Sequence, residues 1–335
     1  MNDPALCLCP GLFRNVCPHD QNWRGVETQI CYEYSDDLVV EFLCPELLGG
    51  FDLSILQSVT SLAHASAKLI DPDADLSGDD IAVHLRDGLI DESVPDPKHD
   101  VLVGKLLFAE FPILHLLQVA GLTDNGRNSR RAMESMRRLS KVTIVIRNRH
   151  DNDDWQRFQL LSFFVPPGQA DRGHRVHVGL NPRLTRFVLR EEHHHTRVSL
   201  VEARKLGSDL AARVLHQRLC GVINDGKDRD LKMGTLLAYL YPNDKAACDA
   251  DKLRGDCIAS YRRLLKHPER LLQKKVDETI SVMDSLQEKL GWEIKLVRQP
   301  GPNVQDALWR IVRTKVSRTK VEMLIIQRKK IRHIP

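Results

Sequence analysis

No apolar run in the 335-residue chain is long enough to cross a bilayer: the longest, such as residues 106–109 and 323–326, fall far short of the roughly 20 residues that a spanning helix needs. A soluble protein is expected. Met1, Asn2, Asp3 and Pro4 open the chain without a basic region followed by an apolar core, so no secretory leader is visible and the cytoplasm is the expected compartment. The string G-x-x-x-x-G-K-[ST] is also missing, which argues against a helicase or an ATPase. The eight cysteines are scattered rather than framed, and a reducing compartment would keep them as thiols.

Metal and nucleophile chemistry is equally thin. Cys7, Cys9, Cys17 and His19 offer four ligands of the kind zinc takes, but without paired C-x-x-C knuckles. The plainer reading is an N-terminal arm whose small apolar thiols pack onto a domain. His193, His194 and His195 resemble the metal-binding histidines of a nicking enzyme, which would use Tyr239 or Tyr241 as nucleophile. They sit, however, in a charged linker between Glu191, Glu192 and Thr196. His174 and His177 fall on one expected strand and, at a side-chain period of two, point to opposite faces. No catalytic residue, metal or cofactor is assigned, and a protein that is not an enzyme is expected.

What the chain has is segregated charge. Its net charge is only +4. Residues 126–150 nevertheless carry eight arginines and lysines against Glu134, and residues 310–335 carry nine against Glu322. Residues 71–100 hold ten acids against Arg86 and Lys98. Segregation of this kind suits a polyanion binder.

The hydrophobic share of 42% is enough for two domains with their own cores. Residues 1–27 read as an arm. In 28–190, β-prone runs at 28–34 and 38–42 suggest a hairpin, and Asp52 caps a helix bearing Leu53, Leu56, Val59, Leu62 and Ala63. The acidic stretch 71–100, with Pro72, Pro95 and Pro97, reads as a solvated loop or insertion. Residues 113–122 and 128–140 then form two helices around a turn at 123–126, a helix-turn-helix. In the second helix Ala132, Met136 and Leu139 make an apolar stripe, and Arg130, Glu134, Arg137 and Arg138 lie opposite it. Strand-like runs at 142–146 and 155–164 follow as a wing, then a strand at 174–180 and a helix opened by Asn181 and Pro182.

After a charged linker at 190–197 the plan recurs in 191–314. A helix over 209–222 carries Leu210, Val214, Leu215, Leu219 and Val222 on one stripe. A shorter helix runs over 231–239, and a long one over 269–290 on Leu272, Val276, Ile280, Met283, Leu286 and Leu290. Runs at 292–298 and 307–313 form a second hairpin. Residues 315–335 are a basic extension. The expected fold is α+β, two tandem winged-helix domains.

Duplex DNA is recognised when phosphate contacts fix the register and a few side chains reach base edges. In the first unit Arg127, Asn128, Arg130 and Arg131 are the base-reading candidates, and Arg137, Arg138 and Lys141 the phosphate candidates. Arg147, Arg149 and His150 lie on the wing. In the second unit the candidates are Arg262, Arg263, Lys266, Arg270, Lys274 and Lys275, with Lys295 and Arg298 on the wing. A solvated basic helix is the bland alternative. Self-association on repeated sites stays open.

Blocks of the sequence resemble the RepC-type replication initiators of IncQ-like broad-host-range plasmids. They are residues 3–14; Tyr32, Tyr34, Glu41 and Phe42; Pro45, Glu46, Leu48 and Gly49 leading to Leu53, Ile55, Leu56 and Gln57; Arg138, Leu139, Lys141 and Val142; and Phe158, Leu160, Leu161 and Ser162. The most specific block spans 198–242, with the run 215–221, Gly226, Lys227, Tyr239, Tyr241 and Pro242. Together the blocks cover about half of the chain; residues 71–110 and 243–270 depart from the pattern. The resemblance implies binding to directly repeated iterons at a plasmid origin, opening of neighbouring DNA, and cooperation with a plasmid-encoded helicase and primase. The alternatives are a winged-helix transcriptional regulator and the nicking enzyme above.

Overall fold

The computed structural model describes residues 4–9, 11–14, 27–70, 79–90, 105–150, 155–166, 175–189, 196, 198–241, 268–298 and 304–313. The arm begins with α1 (Pro4–Leu8) and β1 (Phe13–Arg14). The hairpin expected next is present as β2 (Thr28–Glu33) and β3 (Leu38–Cys44), antiparallel with Ile30 opposite Phe42. Ser35 tightens its turn by accepting the Leu38 N–H at 3.1 Å. After β4 (Leu48–Gly49), which pairs in parallel with β1, comes α2 (Gly50–Ser66). Asp52 is not the cap expected for it. The helix starts earlier, after Gly49, and the Asp52 carboxylate reaches back to accept the Gly49 N–H at 2.9 Å.

A helix inside the acidic stretch corrects the expectation of a plain loop there. After β5 (Lys68–Ile70), α3 (Asp80–Asp87) is capped by Asp79, which accepts the Ala82 N–H at 2.9 Å. Its Ala82 and Leu85 are buried, so a few apolar residues at helical spacing outweigh the surrounding charge. Then come β6 (Leu106–Pro112), which was not foreseen, α4 (Ile113–Ala120) and α5 (Gly126–Ser140). Gly121, at φ +72°, supplies the left-handed residue that ends α4. Directly after α5, β7 (Thr143–Asn148) and β8 (Trp155–Gln159) form an antiparallel hairpin that extends the first sheet in the order β2-β3-β7-β8.

The strand foreseen over 155–164 is two strands in two sheets. It breaks at the buried Leu160, and β9 (Leu161–Phe164) joins β10 (Arg175–Leu180) in a sheet ordered β5-β6-β10-β9. Buried Asn181 holds this corner. Its amide N–H groups donate to the carbonyls of Gln159 and Leu160, and its oxygen accepts the Leu184 N–H at 2.8 Å, capping α6 (Pro182–Leu189).

In the second half α7 (Leu200–Lys205) precedes α8 (Leu210–Val222), which Asp209 caps by accepting the Ala212 N–H at 2.9 Å. The helix foreseen from residue 231 starts later: Asp228–Lys232 is strand β11, and α9 is Met233–Leu240. α10 (Pro268–Leu290) follows, and β12 (Glu293–Arg298) and β13 (Leu308–Val312) pair antiparallel in a sheet ordered β11-β13-β12. Among the described residues, the order helix, strand, helix, helix and hairpin is shared by α3, β6, α4, α5 and β7–β8 and by α8, β11, α9, α10 and β12–β13.

One buried apolar cluster runs through both halves, because α2 packs on α4 and α5 and also on α8, which packs on α1, α9 and α10. Instead of the one-sided stripe expected, α8 is buried all round from Ala212 to Cys220. Gly50 lets α2 approach it. A Cβ added there would stand 2.8 Å from both the Cβ and the carbonyl oxygen of Leu210. Gly50→Ala is therefore expected to lower stability by about 1–3 kcal/mol, read as an earlier denaturation midpoint. Circular dichroism and tryptophan fluorescence should report one shared transition, since the two halves share their core; two separate transitions would contradict this.

Candidate nucleic-acid interface

α5 is held at both ends and along one face. Asn125 caps it by accepting the Asn128 N–H at 2.8 Å, while Ala132, Ser135, Met136 and Leu139 are buried. The first turn contains no acidic residue and includes Arg127. A helix N-terminus carries about half a positive charge, and an acid there is worth about 0.3–1 kcal/mol. Here Arg127 adds to that partial charge, and the nearest acid in sequence is Asp124, before the cap. Arg127, Arg130 and Arg137 are exposed and make no ion pair among the described residues.

The other predicted DNA-facing residues divide by their partners. Arg138 turns inward, contrary to its expected place on the face opposite the apolar stripe. Its Nε and Nη2 donate to Asp52 Oδ1 at 3.0 and 2.7 Å, and Ser135 Oγ donates to the same oxygen at 2.7 Å. Arg131 lies over the Phe51 ring, 4.3 Å from its centroid. Asn128 uses its amide on the turn, donating to the Thr123 carbonyl at 2.9 Å. Lys141 stands 3.6 Å from Glu46. On the hairpin, Arg147 pairs with buried Glu41 at 2.9 Å, Arg149 with exposed Glu33 at 2.6 Å, and His150 lies 3.2 Å from Asp37.

The second set is more dispersed. Arg262, Arg263 and Lys266 lie outside the described residues, as does the side chain of Arg270. Lys274 is 3.8 Å from Glu278, and Lys275 sits 5.3 Å from the centre of the Tyr241 ring. Lys295 pairs with Glu293 at 3.3 Å, whereas Arg298 is exposed with no ion pair among the described residues. Two residues of the basic C-terminal count are committed elsewhere. Arg310 makes a two-pronged contact with Asp230 at 2.7 and 2.9 Å, and buried Arg313 pairs with Asp225 at 2.7 Å.

The sequence reading missed Arg183 and Arg186 on α6. They line a groove of about 260 Å³ with Tyr34, Asn148 and Gln156, beside the hairpin, and Arg183 lies 4.7 Å from the Tyr34 ring centre. Their spacing of three on a helix was the available signal.

Among the described residues one group could hold a metal ion: Glu202, His216 and Cys220, all buried, with ligand atoms within 4.8 Å of one another. Its surroundings favour a hydrogen-bonded network instead. His216 Nε2 lies 3.1 Å from Glu202 Oε2, Trp292 donates to Glu202 Oε1 at 3.0 Å, and the Arg313 guanidinium, shared with Asp225, stands 3.6 Å away. Burial pushes the Cys220 thiol well above its ordinary value. At the arm, Cys7 and Cys9 are buried and burial raises Cys9 to about 12, while Cys17 and His19 lie outside the described residues. So do His174 and the histidine triplet; His177 is half-buried near Phe164. Tyr241 donates its hydroxyl to Glu278 at 2.5 Å, and burial raises the Tyr239 phenol.

A helix whose first turn carries Arg127 and no acid, followed at once by a hairpin with more arginines, is the candidate surface for a polyanion. The chain belongs to the family Replication protein C (RepC), whose pattern matches residues 1–281, in agreement with the resemblance carried by the sequence blocks. No curated protein sequence matches it. Among solved structures it is similar to the selenomethionine crystal structure of domains 2 and 3 of RctB, at 10% identity and TM-score 0.47, over 95% of this chain and all of that one. A second crystal structure of RctB domains 2-3 gives 12% identity and TM-score 0.49, over 96% and 99% of the two chains. Among the described residues no helix is long and apolar enough to cross a membrane.

The Glu202 network makes acid stability testable. Burial alone would raise this carboxyl, but hydrogen bonds from His216 and Trp292 and the charges of His216 and Arg313 outweigh it, so its pKa lies below the ordinary 4.5. A carboxylate depressed in the folded state stabilises it above the unfolded pKa, and that contribution is lost as pH falls through the folded value. Glu202→Gln should cost about 3 kcal/mol at pH 7. In urea titrations the gap to wild type should hold down to about pH 4.5 and narrow below it. A gap independent of pH would show that Glu202 is not ionised in the fold.

Proposed function

We propose that the chain is a plasmid replication initiator, active in the bacterial cytoplasm, that binds repeated duplex sequences at an origin through two winged-helix units. The observation that carries this reading is the trio Arg127, Arg130 and Arg137 on α5, exposed and without an ion pair among the described residues, ahead of the β7–β8 hairpin. In this reading α5 lies in the major groove and the hairpin is a wing against the adjacent backbone. α10 and β12–β13 repeat the arrangement with weaker charge. Membership of a replication protein family supports an origin as the target.

The protein has no catalytic step of its own in this reading. Origin opening draws on binding energy, and unwinding on a recruited helicase, with a primase to follow. Repeated sites would bring several copies side by side and favour self-association on DNA. A second reading, a transcriptional regulator on the same scaffold, differs only in where the footprint falls. The nicking alternative is checked by incubating supercoiled origin plasmid with Mg²⁺ or Mn²⁺, where no relaxed product is expected.

The binding test is an electrophoretic shift and footprint on the neighbouring plasmid DNA. Protection over repeated origin sequences is expected; failure to retard any origin fragment at low salt would overturn the proposal. Arg130→Ala with Arg131→Ala should lower affinity for the origin site more than for random duplex, by about 1–3 kcal/mol for each arginine that reads a base. Arg137→Ala should weaken all duplexes alike and flatten the logarithmic salt slope by about 0.9. An equal fall on specific and random DNA for the arginine pair would remove its base-reading role.

A further inference from the structure

We infer that the N-terminal arm is a positioning strap for α5, acting through Gly49 and Asp52; the inference rests on the proposed role of α5 in reading DNA. The arm touches both halves. α1 is seated on α8, where Gln217 Nε2 donates to the Leu6 carbonyl at 3.1 Å and Arg218 donates to the Cys7 carbonyl. Leu8 covers Gly221 so closely that an added Cβ would collide with its Cδ2. Gln217 also accepts from Gln57 of α2 at 3.1 Å, so one buried side chain ties arm, α2 and α8 together.

The other end of the arm reaches the basic helix in three links. Phe13 and Arg14 of β1 pair in parallel with Leu48 and Gly49 of β4. Gly49 is the residue on which α2 starts, and its N–H is held by Asp52 Oδ2. The other oxygen of the same carboxylate, Oδ1, holds Ser135 and Arg138 of α5. Asp52 is 4% exposed, and Phe13 is 1% exposed. A shift of β1 therefore moves Gly49, Gly49 moves the carboxylate, and the carboxylate sets where along α2 the basic helix is fixed. Base reading needs side chains placed to within a fraction of an ångström, whereas attraction to phosphate tolerates looser placement. The strap should accordingly govern discrimination more than attraction.

The test uses the full chain with Phe13→Ala, Asp52→Asn and the conservative Phe13→Leu. Amide hydrogen exchange, read without DNA, should show faster exchange over residues 128–140 in the first two variants, with α10 protected as in wild type. On DNA the ratio of origin to random-duplex affinity should fall by about tenfold with the salt slope kept, and Phe13→Leu should restore both readouts. Unchanged exchange in α5, or an equal fall on both duplexes, would overturn the strap. Should Phe13→Ala also expose α10, Gly221→Ala decides, since it displaces Leu8 of the arm and leaves Asp52 in place: α5 loosening alone supports the inference, and α5 exchange as in wild type or global loosening refutes it. If wild type itself does not discriminate origin DNA, the proposed function fails while the exchange readout still judges the strap.

Discussion

The crossing of α2 over α8 is the contact on which the rest of the structure depends. α2 carries α4 and α5 on its other sides, and α8 carries α1, α9 and α10, so each half is built on one of these two helices. The crossing is close because Gly50 has no side chain against Leu210. It is also polar: Arg213 donates to Ser54, and Gln57 donates to Gln217. Buried polar groups cost several kcal/mol when left unpaired, so only one depth and rotation of the two helices satisfies these pairs. Apolar contacts alone would allow sliding. The geometry of α5 relative to α10 follows from that single satisfied arrangement.

The second half is fixed by the same logic. Glu202 of α7 receives His216 of α8, Trp292 next to β12 and Arg313 after β13, so four segments meet on one carboxylate. Arg313 is shared between this carboxylate, at 3.6 Å, and Asp225, at 2.7 Å, which ties the turn before β11 to the same network.

Periodicity made the helices legible. α5, α8 and α10 and both hairpins lie close to where apolar spacing and turn residues place them. The elements that escaped notice are short or masked by charge. β11 reads Asp, Arg, Asp, Leu, Lys and becomes a strand only because β13 supplies its partner, with Asp230 opposite Arg310. α3 is hidden among acids. Helix-wheel reasoning also put Arg138 on the outer face, yet a guanidinium is long enough to reach inward when a buried carboxylate from residue 52 waits there. That partner is 86 residues away in sequence, and no local pattern announces it.

Whether an arginine is structural or available is decided by the burial of its acid. Breaking a buried pair costs about 3–5 kcal/mol because a charge is stranded without water, so Arg138 stays with Asp52 whatever approaches. Exposed pairs are worth about 0–1 kcal/mol. Arg149 can therefore exchange Glu33, which is 79% exposed, for a phosphate at little cost. Arg147 is intermediate: its partner Glu41 is only 4% exposed, but Gln29 also donates to that carboxylate and would remain after the arginine left. Arg127, Arg130 and Arg137 have no ion pair to give up among the described residues. A chain with net charge of only +4 can thus present local positive charge on α5, where Arg127, Arg130 and Arg137 outnumber the one acid of that helix, exposed Glu134.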